Sequence, residues 1–487
     1  MTTTQEAQAR QASNAFSWRF VTPMFLGSAL NPVNSSLIAT ALVPIAAAMG
    51  VSVGRTAVLV SALYLASSIA QPTAGKLAEE LGPRRVFLAG IALVLAGGLV
   101  GGFARNLAML IVARVLIGIG TSAGYPSAML LIRRRATQAG LSAPPGSVLG
   151  GLVIAGMVTP AIGLPLGGVL VGAWDWRATF FFNIPLTAVT FIMAAIWIPK
   201  DEDQFKALNG HGLAARIDLL GIVGFGAAMT SLIVTLMALP RLNWLSLGIA
   251  IAAFAALAWW ELRASRPFLD IRLLASNRAL TLTYLRYLIL CLCLYTVLYG
   301  VTQWLQVSRG LTALAAGLVQ LPMSLASAVI ARPVSQRNLL RTPLVIAAAS
   351  CLAGAATVLL LTSHTAIALI VVATLLFGVA MGAGASANQT ALYAAVPAEQ
   401  IGTASGLLRT SGYIGSIASS AILSITFRSG VTDHGLHVIA VIMVAVSALC
   451  LVITLADRKL MSLAEPPDKA RNQAKPGGRP GPGQGQA

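Results

Sequence analysis

The sequence predicts an all-α integral membrane protein, with fourteen transmembrane helices arranged as two six-helix bundles and two further helices inserted between them. Three observations lead there. The 487 residues are 57% hydrophobic and 10% charged, and a mean hydropathy of +0.81 excludes a soluble globular domain. Apolar runs of about twenty residues, enough to cross a hydrocarbon layer of about 30 Å, recur fourteen times. The 33 lysines and arginines fall mostly between these runs, so the formal charge of +18 reports membrane topology and not a nucleic-acid partner.

Residues 1–16 are polar and lack the apolar core of a cleaved signal, so the first run remains as a helix. Six runs follow one another at 20–43, 56–76, 86–104, 108–130, 147–172 and 178–198. Two more, 217–239 and 244–262, separate them from a second six at 280–304, 312–331, 343–362, 366–390, 404–426 and 436–456. With the middle pair set aside, Gly118, Gly120, Gly124, Gly163 and Gly167 of spans four and five match Gly378, Gly382, Gly384, Gly402 and Gly406 of spans twelve and thirteen. The loops Gly75 to Arg85 and Ala331 to Arg341 match in the same way. Such repetition is common in transporters. It divides the chain into a bundle at 1–200, an insertion at 201–275, a second bundle at 276–460 and a disordered Pro/Gly/Gln-rich tail at 461–487.

An even number of spans puts both termini on one side. Loops on that side carry 24 of the basic residues and the opposite loops 6, with Arg114, Arg286 and Arg409 within or near spans. Both termini are therefore expected in the cytoplasm. Ala207 and Glu465 are expected there too, with Leu242 outside. All eight tryptophans fall near span ends, where interface anchors belong.

Four features carry chemistry. Gly163 and Gly167 stand four apart, as do Gly168 and Gly172, so span five has a face with almost no bulk, which a neighbouring helix approaches closely. In the loop GKLAEELGPRR, Glu79 lies among basic residues and helix ends, where its contacts form in one conformation and break in another. Arg114 sits about two turns inside span four, where a guanidinium costs roughly 2.5–3.5 kcal/mol unless it meets a cavity or a partner. Span nine carries Tyr287, Cys291, Tyr295, Tyr299 and Gln303, each four after the last, a polar ridge that calls for other helices or water. The cysteines lack metal-ligand or redox spacing, the four histidines lie in or beside loops, and no Walker-type loop is present. No metal, cofactor or enzymatic centre is expected.

The stretch Gly163 to Pro185, GLPLGGVLVGAWDWRATFFFNIP, resembles the fifth helix and following loop of the fourteen-helix drug/proton antiporter family of the major facilitator superfamily, with Leu164 at the family's proline position and Pro165 after it. Gly75, Leu77, Gly82 and Arg84 resemble the superfamily's cytoplasmic signature, with Glu79 in place of its aspartate, Glu80 of an arginine and Pro83 of another basic residue. Arg114 to Gly124 is similar to the fourth-helix motif whose arginine is associated with proton movement, although Ile117 replaces the glutamine. Asp218 with Gly221, and Trp260, Glu261 and Leu262 followed by Arg266, Pro267 and Phe268, resemble the ends of the inserted pair.

The resemblance implies a major facilitator fold that rocks about a central site. That site is lined by the first and fourth helices of each half: Asn31, Asn34, Ser35, Arg114, Thr121, Tyr125, Tyr287, Tyr295, Tyr299 and Gln303. Gly75, Glu79, Gly82, Arg84 and Arg85 would form a conformational latch, and Gly163, Pro165, Gly167 and Gly168 the packing motif. The expected function is export of small amphipathic drugs or metabolites by a monomeric, multi-pass carrier in the bacterial inner (plasma) membrane, surrounded by lipid and driven by protons. One departure matters. The family's span-one aspartate is absent near Ser35, and no carboxylate lies between Glu80 and Asp175 or between Asp270 and Glu399. Neutral or anionic substrates are therefore expected over cations, and the alternative reading is a carrier for an organic anion or neutral metabolite without carboxylate-based proton coupling.

Overall fold

The computed structural model describes residues 16–141, 146–201, 218–238, 243–264, 267–268, 271–336, 340–395 and 401–457. The expected tail at 461–487, and the topology markers Ala207, Leu242 and Glu465, lie outside these residues. Among the described residues the regular structure is helical, in fourteen long rods with a short helix, Ile271–Ser276, before the ninth. They are α1 (Trp18–Met49), α2 (Val53–Leu81), α3 (Pro83–Gly102), α4 (Leu107–Gln138), α5 (Gly146–Ala173), α6 (Ala178–Trp197), α7 (Leu219–Ala238), α8 (Trp244–Glu261), α9 (Arg278–Val307), α10 (Ala313–Gln336), α11 (Arg341–Val358), α12 (Ile367–Ala395), α13 (Ile401–Thr426) and α14 (Asp433–Ala456). Eleven are long and apolar enough, by length and composition, to cross a membrane.

The internal repeat is visible in the packing. In the first half α1 packs on α5, α2 on α4, and α3 on α4 and α6; in the second, α9 packs on α13, α10 on α12, and α11 on α12 and α14. Glycine makes the matching contacts possible. A Cβ on Gly118 would lie 2.6 Å from the Leu63 carbonyl oxygen, and one on Gly378 2.3 Å from that of Met323, so in both halves the backbones touch. The halves meet along two seams, α2 with α13 and α5 with α10, which exchange places under the same repeat.

α7 and α8 pack on each other, and α7 leans on both α2 and α13. The expected motif at their ends is one physical unit. Asp218 accepts from Gly221 N at 3.1 Å, Trp260 Nε1 at 2.8 Å and Phe268 N at 2.9 Å. Lys76 at the end of α2 donates to the Pro267 carbonyl at 3.2 Å, tying the pair to the first bundle.

Some details depart from the sequence reading. α1 extends well past 20–43 and carries Pro23, Pro32 and Pro44, and the Ser36 hydroxyl donates back to the Pro32 carbonyl at 2.9 Å. A five-residue π turn, Val297–Val301, interrupts α9 around Tyr299. Trp18, Trp174, Trp244 and Trp259 are exposed, as anchors should be, but Trp176 and Trp304 are buried. Trp304 Nε1 donates to Asp433 at 2.7 Å, so this indole is a core residue with its polar edge satisfied. All four cysteines are free and buried.

Candidate functional site

The α2–α13 seam is tight at one end of the molecule and looser towards the other. Spacings of seven residues, about two helical turns, put Gly406, Tyr413, Ser420 and Phe427 on one face of α13. At the tight end a Cβ on Gly54 would lie 2.9 Å from the Phe427 backbone, and one layer deeper the Ser61 and Ser420 hydroxyls hydrogen-bond. The second seam is equally tight there. A Cβ on Gly168 would lie 2.4 Å from the Leu314 Cα, and one on Gly317 2.7 Å from the Leu164 oxygen. Towards the opposite end, a Cβ on Gly406 would meet no atom of the described residues within 4 Å. That end carries Arg84 and Arg85 in the first turn of α3 and Arg133 to Arg135 in the last turns of α4.

Between the two ends lies an aromatic layer contributed by both bundles. The Tyr299 hydroxyl donates to the Ser35 carbonyl at 3.1 Å and lies 3.3 Å from the Tyr64 hydroxyl. Tyr64 meets Tyr295 edge-on at 5.0 Å and Tyr413 at 5.5 Å between ring centroids. Tyr295 and Tyr299 stack at 5.9 Å. Tyr413 in turn donates to Gln71. The expected α9 ridge therefore does face another bundle, and Tyr64, Gln71 and Tyr413 complete it.

Other expected residues are distributed around this layer. Asn31 donates to Ser67 at 3.2 Å and Thr121 at 2.9 Å. Asn34 and Asn183 exchange amide hydrogen bonds of 2.8 and 3.0 Å, which places Asn34 inside the first bundle. Gln303 is fully buried and its amide atoms have no hydrogen-bond partner among the described residues. Arg114 is 1% exposed; its Nε donates to the Leu59 carbonyl at 3.1 Å and Nη1 to that of Asn34 at 3.2 Å, while Nη2 has no partner. Tyr125 and Tyr287 come together with an arginine the sequence reading left unassigned. The guanidinium of Arg409 lies 3.8 Å over the Tyr125 ring, and Tyr287 packs against α13 where a Cβ on Gly412 would be 2.7 Å from its ring.

A family model described as the Major Facilitator Superfamily matches residues 24–420. The chain belongs to this superfamily. The MFS-type transporter YwoD of Bacillus subtilis (strain 168) is 32% identical over 450 residues, covering 91% of this chain and 98% of that one. The multidrug resistance protein Stp of Mycobacterium tuberculosis (strain CDC 1551 / Oshkosh) is 28% identical over 374 residues, 75% of this chain and 67% of the relative. Among solved structures, the nucleoside transporter NupG has the same fold, with a TM-score of 0.62 at 11% identity over 90% of this chain and 99% of that one. The protein is thus a facilitator-type membrane transporter and not an enzyme.

The facilitator signature loop is engaged within its own bundle. Gly82 has φ +98°, and a Cβ there would lie 2.4 Å from the Asp201 carboxyl carbon. That carboxylate accepts from Arg84 N at 3.2 Å and Arg85 N at 3.0 Å, capping α3 where the helix dipole favours an anion. Arg84 also donates to the Ala195 carbonyl at 2.7 Å, and Glu79 is exposed. Gly75 lies at α2, 3.7 Å by its would-be Cβ from Pro126. In the packing motif, Gly163 and Gly167 abut Ser36, Leu37 and Thr40 of α1, whereas Gly168 abuts α10; Pro165 lies between them, half-buried.

Proposed function

We propose that this facilitator exports small amphipathic compounds, neutral or anionic in preference to cationic, by alternating access of the tyrosine-lined centre. The observation that carries the reading is the seam: sealed by glycine contacts at one end, looser at Gly406 towards the end with the basic residues. On this reading the positive-inside rule assigns that end to the cytoplasm, the state is inward-facing and both termini are inside. The moving bodies are 1–200 and 276–460, with 201–275 inserted between them, in a monomer of the bacterial plasma membrane. The name of Stp supports the drug-export side of the reading. Glu79 and the basic residues around Arg84 and Arg85 would act as the latch when the cytoplasmic side closes.

The driving force is the proton gradient or, for an anion, the membrane potential itself. The second reading is favoured by the absence of Asp or Glu from α1, α4, α9 and the middle of α13. An anion leaving an interior-negative cell gains about 2.3 kcal/mol per charge at 100 mV, without a proton relay. Flux of fluorescein, an amphipathic anion, by purified protein in liposomes tests both. Flux that follows an imposed pH gradient at zero potential supports proton coupling; flux that follows a potassium-diffusion potential at equal pH supports the second reading. No protein-dependent flux of fluorescein or of neutral amphipathic compounds would contradict the exporter reading.

A further inference from the structure

We infer that Arg409 is a substrate-anion subsite on the Gly406 side of the aromatic layer, a specificity determinant that receives the acidic group of an aromatic or amphipathic organic anion. The inference deepens the exporter reading and rests on it. At about 1.5 Å of rise per residue, Arg114 lies ~10 Å along α4 from the sealed end, Tyr64 ~16 Å along α2 and Arg409 ~25 Å along α13. Arg114 is shut behind the tyrosines in this state. Arg409 is on the Gly406 side of the layer and is half-buried.

Its surroundings are those of a binding group rather than of a structural ion pair. α4, α9 and α13, which meet around it, contain no Asp or Glu. Its face is covered by Tyr125, with Tyr413 and Tyr287 also within electrostatic reach. Tyr125 and Tyr413 also hydrogen-bond to the guanidinium, and its five donors exceed those two partners, so donors remain to bind a carboxylate or sulfonate. The surrounding rings offer faces to the apolar part of the same molecule. Arg286, within α9, differs on each count: it is buried and paired with Asp457. The Arg409–Tyr125 stack also joins the bundles, since α13 belongs to one and α4 to the other. An anion held at Arg409 therefore sits where both moving bodies touch it.

The test uses full-length protein, with fluorescein as the anionic probe and ethidium as a cationic one of similar size. Arg409→Gln, Arg409→Lys and wild type are compared by fluorescein anisotropy in detergent and by flux of both probes in liposomes. Losing a charge-assisted pair should weaken fluorescein binding and raise its KM by about tenfold or more. Lysine, which keeps the charge but loses the fork and the stack, should fall between. Ethidium flux should not fall in Arg409→Gln. Unchanged fluorescein affinity in Arg409→Gln overturns the inference while leaving the exporter reading intact. Equal loss of both probes assigns Arg409 a structural role and also overturns it. Absence of fluorescein binding by the wild type overturns it together with the anion preference on which it rests.

Discussion

Gly168→Leu abolishes transport while leaving the protein inserted, because the state described here no longer forms. Gly168 is buried in the α5–α10 seam, where a Cβ would come within 2.4 Å of the Leu314 Cα and 2.8 Å of the Ala313 oxygen. Those are backbone atoms and do not rotate away. Overpacking of this kind costs about 1–3 kcal/mol, a factor of roughly 5–150 in an equilibrium, and it falls on the sealed conformation alone. Gly167→Leu also stops transport, but through a contact inside the first bundle, with Thr40 and Leu37 of α1, so its inserted abundance should drop as well. The measurement is liposome flux with inserted protein quantified in parallel. Wild-type flux in Gly168→Leu would show that the α5–α10 seam does not close during transport.

Arg114→Gln abolishes export, and Arg114→Lys retains part of it. The guanidinium is the most heavily buried charge of the first bundle, held by carbonyls of Leu59 and Asn34 with Nη2 unpartnered. α1 and α4 contain no carboxylate, so its field is uncompensated and attracts an anion once the sealed end opens. Lysine keeps that field but loses the planar fork. Removing a charge from the membrane interior does not burden insertion, so abundance should hold while flux is lost. Flux across a range of pH for all three proteins checks this; equal flux for Arg114→Gln and wild type at every pH would leave Arg114 a structural residue.

Much of the architecture was legible because it follows from local rules. Spans come from hydropathy, and the repeat from glycines such as Gly118 and Gly378, whose contacts turned out to be alike. The acidic residue opening the inserted pair, Asp218, was legible as a motif, though not that it would gather Trp260 and Phe268 around one carboxylate. What escaped is what depends on distant pairing. Tyr64, Gln71 and Tyr413 look like isolated polar residues until α2 meets α13, and Arg409 is one of three arginines near spans until Tyr125 is set beneath it. Asp201 carried no signal at all, since its partners are backbone amides more than a hundred residues earlier. The division of labour between adjacent Gly167 and Gly168, one facing α1 and the other α10, is equally invisible without the second bundle in place.

Alternating access about this seam is tested most directly by locking it. Ser61 and Ser420 face each other through a hydroxyl–hydroxyl hydrogen bond, one in each bundle, so the pair Ser61→Cys and Ser420→Cys is positioned to form a disulfide when the sealed end is closed. The measurement is fluorescein flux in liposomes by the double variant, oxidised and then reduced, beside each single variant treated alike. Oxidation should abolish flux in the double variant only, and reduction should restore it. Full flux with the crosslink formed would contradict alternating access at this seam.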